Sequence, residues 1–357
     1  MATAAPPLPN FGRLDPDLIS FLEEQFGRYD VRYDELPLSS LLQDRRGISR
    51  QAAAALLKRL VSQNILKEGD GLRPKTYRLQ APQVFHKTYP LNDLEEHLVW
   101  AEDLLPILSK YAQPNALRIW EYSVTEMINN AIDHSEGTGV TVGLYISPID
   151  AGCLITDNGE GIFRRIKRLC QLVDERQALI ELSKGKLTTD PARHSGEGLF
   201  FTSRAMDWFC LDSYGLSFSH TESDGDKNWL MEIDDDTQGT TIMMDLRHRT
   251  THNLRDLFNQ FAAPDSFSFN KTIVPVRLAK IGAESLVSRS QAARLLARVD
   301  KFEHVIFDFA GIDSIGQAFA DEIFRVFAAE HPEVEISASH ASEDVMAMIN
   351  RARAHRA

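Results

Sequence analysis

Apolar residues recur at helical spacing in three stretches near the start of the chain. LDPDLISFLEEQF and DELPLSSLLQDR, beginning at Leu14 and Asp34, are short helical patterns. ISRQAAAALLKRLVSQNIL is longer, with apolar positions at Ala54, Leu57, Leu60 and Val61, and Ser49 is placed to cap it. LKEGDGLRPKTYRLQ follows, a Gly-Asp-Gly turn between two short extended segments. Residues 14–80 therefore predict helices and then a hairpin. A connector over 81–114 holds one helical pattern, LNDLEEHLVWAEDLLPIL. NALRIWEYSVTEMINNAIDHS is a helix with one apolar face (Leu117, Trp120, Val124, Met127, Ile128, Ala131). VTVGLYIS and GCLITD alternate as a β-hairpin, residues 163–193 are charged and poorly periodic, LFFTSRAMDWF is helical, and TIMMDLR is a strand. Beyond about residue 270, TIVPVRLAKIG, SRSQAARLLARVD, HVIFDFAGI, GQAFADEIFRVFAAEH and VEISAS alternate β and α, as in a second small α/β domain.

The length of 357 residues favours two or three domains. Composition is that of a soluble globular protein, 43% hydrophobic and 25% charged, without an apolar run approaching the roughly 20 residues that span a bilayer. The N-terminus lacks the basic start and apolar core of a secretion signal. Cys153, Cys170 and Cys210 are odd in number and widely spaced, which argues against disulfides or a zinc site and fits the cytoplasm. A net charge of −12 weighs against wholesale nucleic-acid binding, yet residues 42–80 hold nine Lys/Arg against three acids. That basic surplus supports DNA contact through Arg45, Arg46, Arg50 and Lys75, with the helix from Ser49 entering a groove; a dimerisation or docking module with a solvated basic face is the alternative.

Three further segments carry candidate chemistry. Glu126, Asn130 and Asp133 form one polar column on their helix, and Asn129-Asn130 in mid-helix is a poor local choice unless an amide oxygen is needed. Such oxygens one turn apart suit a hard divalent cation carrying water and phosphate, with a base for an attacking water. Asp157-Asn158-Gly159-Glu160-Gly161-Ile162 sets a carboxylate at a strand end, able to accept from an amine such as that of adenine, before glycines that let the backbone approach a flat base. Gly196 and Gly198 stand ahead of a helix whose N–H groups favour phosphate. His97, tested as a phosphoacceptor, is followed by Leu98 and Val99 rather than by an acidic residue and a nearby Pro, and reads as an ordinary histidine.

Taken together, the E-x-x-x-N-x-x-D, D-x-G-x-G and G-x-G-L motifs and Gly239-Thr240-Thr241 resemble the ATP-binding domain shared by gyrase, the heat-shock chaperone ATPase, mismatch-repair ATPases and histidine kinases, often called GHKL, over residues 95–248. The resemblance implies an α/β sandwich, a mixed sheet with helices on one face, binding ATP and Mg²⁺. It implies that Asn130 ligates Mg²⁺, Asp157 binds adenine, Gly159 and Gly161 line the base, Gly196 and Gly198 wrap the phosphates, Thr240 joins Asp157 through water, and Glu126 is the general base. Asp133, Ile162, Lys184, Lys186 and Leu199 are further candidates for the nucleotide site. Residues 14–80 resemble the winged helix-turn-helix of bacterial transcription regulators, by pattern alone.

Residues 270–357 resemble the anti-sigma-factor antagonist (STAS) fold through Ile306-Phe307-Asp308-Phe309 and Asp313-Ser314-Ile315-Gly316, and more closely the STAS-like domains of unknown function fused to such ATPases. Those antagonists carry their phosphoacceptor directly before the Gly; here that position is Ile315, and Ser314 is one residue off. The expectation is a multidomain α+β regulatory protein, a slow ATPase working as a homodimer and meeting DNA or a protein partner, with the C-terminal domain docked in cis. A serine or histidine protein kinase of the anti-sigma type, and a nucleotide-sensing DNA-binding regulator with negligible turnover, are the alternatives.

Overall fold

The computed structural model describes residues 8–11, 14–27, 34–71, 74–186, 196–221, 227–233, 238–262, 269–280 and 285–354. His194 and Ser195, which precede the Gly196 turn, and part of the stretch joining the last two domains lie outside the described residues.

The N-terminal unit is three helices, α1 (Pro16–Phe26), α2 (Leu38–Arg46) and α3 (Arg50–Ser62), followed by an antiparallel pair, β1 (Leu66–Glu68) and β2 (Tyr77–Leu79). Asp15 caps α1 by accepting from the Leu18 N–H at 2.8 Å, and Ser49 caps α3 by accepting from Ala52. Leu18, Phe21, Leu22, Phe26, Leu42, Leu57 and Leu60 share one core with Ile149, which belongs to the next unit.

The central unit begins earlier than the sequence suggests, because the connector supplies a strand, β3 (Gln83–Pro90). Short helices α4 (Glu96–Leu98) and α5 (Leu105–Leu108) flank a π-helical turn and lead to α6 (Pro114–His134). Then come β4 (Gly139–Ile146), β5 (Asp150–Asp157), α7 (Ile162–Cys170), α8 (Arg176–Lys184), α9 (Gly198–Ala205), β6 (Trp208–Ser213), β7 (Leu216–Thr221), β8 (Lys227–Glu232), β9 (Thr241–Arg247) and α10 (Leu254–Phe261). The sheet order is β3-β4-β5-β9-β6-β7-β8. Every neighbouring pair is antiparallel, which corrects the expected mixed sheet: β9 inserts between β5 and β6 and separates the two strands that α7 to α9 connect.

Register explains the layering. Val142, Leu144 and Ile146 stand opposite Ile155, Cys153 and Ala151, and these in turn stand opposite Ile242, Met244 and Leu246. This apolar face packs against Ile119, Trp120, Val124, Met127, Ile128 and Ala131 of α6. Each such large apolar side chain, fully buried, contributes about 1.5–3 kcal/mol. The other face carries polar pairs such as Thr88–Thr141 and Thr156–Thr241.

The C-terminal unit is a three-stranded parallel sheet, β10 (Lys271–Pro275), β11 (His304–Asp308) and β12 (Glu335–Ser339), with α11 (Arg289–Leu296), α12 (Gln317–Asp321) running through a π-helical turn into α13 (Ala328–Glu330), and α14 (Glu343–Ala354). Its core includes Ile180, Phe200 and Phe201 of α8 and α9, so it is docked on the central unit as expected. Among the described residues, no helix is long and apolar enough to cross a membrane.

Candidate functional site

A cavity of about 440 Å³ opens between α6, α7, α9 and the ends of β5 and β9. Its walls include Glu126, Asn130, Asp133, Asp157, Gly161, Ile162, Gly196, Gly198, Leu199 and Thr240, ten of the residues singled out from the sequence.

Asp157 shows why the place is unusual. Alternation along β5 (Ala151, Cys153, Ile155) puts position 157 on the helix-facing side, where an apolar residue is the ordinary choice. Asp157 is 8% exposed as a residue. Oδ1 accepts from the Gly159 N–H at 2.9 Å and the Thr240 N–H at 3.3 Å. Burial pushes its pKa up, against the lowering effect of those donors. The Thr240 hydroxyl accepts from the Ile162 N–H at 3.0 Å, tying β9 to the start of α7. A buried carboxylate maintained this way at a cavity wall is suited to accept from a ligand N–H.

The motif glycines divide into two roles. Gly161 has φ +86° and turns the chain into α7 beneath the Tyr214 ring. Gly159 does not line the cavity: a Cβ there would fall on the Ser135 carbonyl, so it serves the close approach of this turn to the end of α6, where the Glu160 N–H donates to Ser135 O at 2.8 Å. Asn158 fastens the same turn to β4 by accepting from Thr138 and Gly139. Gly198 opens α9 packed directly on the Glu126 carboxylate.

On α6, Glu126 and Asn130 are one turn apart, and Asn130 Nδ2 lies 4.0 Å from Met127 Sδ, which turns the amide oxygen away from that sulfur. Ile155 and Ile242 form the floor, and Ile162, Ile166 and Leu169 form a wall at α7's i, i+4, i+7 spacing. Ile155 and Ile242 were accessible from strand alternation alone. Arg165 also reaches the cavity, its Nη1 2.7 Å from Glu136 Oε1, and no motif marked it.

Lys184 and Lys186 are elsewhere. Lys184 is buried, 2.8 Å from Glu181 Oε1, and donates to Ala297 O at 2.5 Å; burial pushes its pKa down. Lys186 donates to Asn270 Oδ1 at 3.3 Å and Lys301 O at 3.1 Å. Both serve the contact with the C-terminal unit rather than the cavity.

In the N-terminal unit, Arg45 bonds Asp17, Ser20 and Glu24, and Arg46 bonds Asp15 and Asp17. The basic end of α2 meets the acidic start of α1, a favourable match to both helix dipoles. Lys75 pairs with Glu68. Arg50 is exposed, on a face of α3 with Gln51, Ala54, Ala55, Lys58 and Arg59. His97 is exposed, 3.5 Å from Glu95 Oε2.

The C-terminal region matches the STAS-like domain of unknown function (DUF4325) over residues 291–346. No curated protein matches the chain. Within this STAS-like domain Ile315 is buried in the core, Ser314 is exposed, and the Gly316 N–H donates to Leu286 O at 2.8 Å.

Proposed function

We propose that this protein is a Mg²⁺-ATP-binding regulator of the GHKL type, a slow ATPase whose nucleotide state is felt by its flanking units. The observation that carries the reading is convergence: residues from four segments, Glu126 at one extreme and Thr240 at the other, line one cavity. Its donor set suits the ligand. Asp157 would accept from the adenine amine over the Ile155–Ile242 floor, while Gly196 and Gly198 would offer backbone N–H groups to phosphate ahead of α9. Mg²⁺ held by Asn130 with water and phosphate oxygens would offset the negative charge gathered there. Glu126 would take a proton from the water attacking the γ-phosphorus.

A serine kinase of the anti-sigma type is the second reading, favoured by the STAS-like match. Ile315 disfavours the protein's own domain as substrate, because the acceptor position is occupied by a core side chain. In either reading the N-terminal unit acts as a winged helix meeting DNA through the exposed face of α3, and a C2 homodimer would set two such helices on one duplex. Incubating the full chain with γ-labelled ATP and Mg²⁺ separates the cases. Free phosphate is the expected result; labelled protein selects the kinase, binding without either selects a sensor, and no adenine-nucleotide binding overturns the proposal. Light scattering at micromolar concentration tests the dimer.

A further inference from the structure

We propose that Phe269, at the threshold of the C-terminal unit, is a positioning residue for the phosphate end of the cavity; this rests on the nucleotide reading above. Phe269 is 5% exposed and stands where two pieces of the central unit meet. On one side is Gly185, where a Cβ would come 2.5 Å from Phe269 Cε1 and 3.1 Å from Phe200 Cδ2. On the other are the α9 rings of Phe200 and Phe201, with centroids 4.8 and 5.0 Å from that of Phe269. Phe261 and Phe302 close the cluster.

Polar contacts run the same way. The Thr272 hydroxyl donates to Lys184 O at 2.7 Å, and the Lys184 and Lys186 ammonium groups reach Ala297 O, Asn270 and Lys301 O. Phe200 in turn lines the cavity, and α9 begins at Gly198 against Glu126. Contact therefore passes from Phe269 through Phe200 and α9 to the end of the cavity formed by Gly196, Gly198 and Glu126. Asp157 is held by different groups, the Gly159 and Thr240 N–H donors at the ends of the interior strands β5 and β9. Loosening Phe269 thus acts on the phosphate end and spares the base end. The C-terminal unit is then part of the nucleotide site, and by reciprocity whatever displaces that unit shifts triphosphate affinity.

The test uses full-length wild type, Phe269→Ala, Phe269→Leu and Lys186→Ala, each titrated with adenosine and with a non-hydrolysable Mg²⁺-ATP analogue, alongside Tm. Coupling of ordinary size predicts that Phe269→Ala weakens the analogue about tenfold and Lys186→Ala about threefold, with adenosine affinity held within about twofold and Tm unchanged in Lys186→Ala. Phe269→Leu should fall between wild type and Phe269→Ala. A fall in both ligands that follows Tm would mark a merely structural role and overturn the proposal, as would an unchanged analogue-to-adenosine ratio in all variants. If Phe269→Ala does not fold, Phe269→Leu and Lys186→Ala decide. Wild type that binds neither ligand overturns the nucleotide reading, and the proposal with it.

Discussion

Asp157→Asn separates recognition from stability at a single atom. Two backbone donors converge on Oδ1. An asparagine will keep its own oxygen there and turn Nδ2 to the position of Oδ2. A ligand amine that met an acceptor now meets a donor. Losing a hydrogen bond to a charged acceptor costs about 1.5–3 kcal/mol, which is roughly a 10- to 150-fold rise in Kd for ATP. An inosine nucleotide, with a carbonyl in place of that amine, should lose less or gain. Stability should move the other way. Because burial holds the folded pKa of Asp157 above its usual value, the ionised carboxylate is a cost that is absent at low pH and fully present above the folded pKa. The variant should therefore melt above wild type at pH 8, the gap closing as pH falls toward the ordinary carboxylate value of 3.8. Calorimetric titration and thermal melts read both. Equal ATP affinity in variant and wild type would refute the assignment of Asp157 to the base.

Three other substitutions probe separate statements. Glu126→Ala should keep nucleotide affinity within about threefold while phosphate release drops by about 10²-fold or more, measured with a coupled phosphate assay. Lys184→Ala should lower stability by about 1–3 kcal/mol in urea unfolding, because Ala297 O and Glu181 Oε1 lose their buried donor while Arg298, 3.5 Å from Glu181 Oε2, keeps that carboxylate paired; a near-neutral result would mean that the buried contacts are not formed. Ser314→Ala should leave turnover unchanged, and mass spectrometry after incubation with ATP should find no phosphate at Ser314, whose modification would promote the kinase reading.

Much of the site was legible because its chemistry violates local preference. Asparagines in mid-helix and a carboxylate on the buried side of β5 both stand where packing alone would not put them. Lys184 and Lys186, candidates for the nucleotide site, instead reach Ala297, Asn270 and Lys301, which lie more than 80 residues away in sequence and so leave no trace in the local pattern. β3 escaped notice because it is an edge strand burying only Val84 and Tyr89, too sparse an alternation to register. The apolar run after Gly198 reads as a helix through Phe209, yet α9 stops at Ala205. Asp207 there accepts from the Arg247 N–H at 2.7 Å and draws the chain into the sheet, a contact invisible to local periodicity.

Ile149 gives the sheet a second attachment, far from the cavity. It sits in the β4–β5 turn and is buried among the side chains of the N-terminal unit. From that turn to Asp157 the strand β5 is eight residues long, about 25 Å at strand rise. Swinging the N-terminal unit on its own would first require extracting Ile149 into water, at about 1.5–3 kcal/mol. That cost leaves the N-terminal unit seated on the β4–β5 turn in all but a minor fraction of molecules. Under the proposed function, any swing of α3 relative to the sheet would have to include the exposure of Ile149.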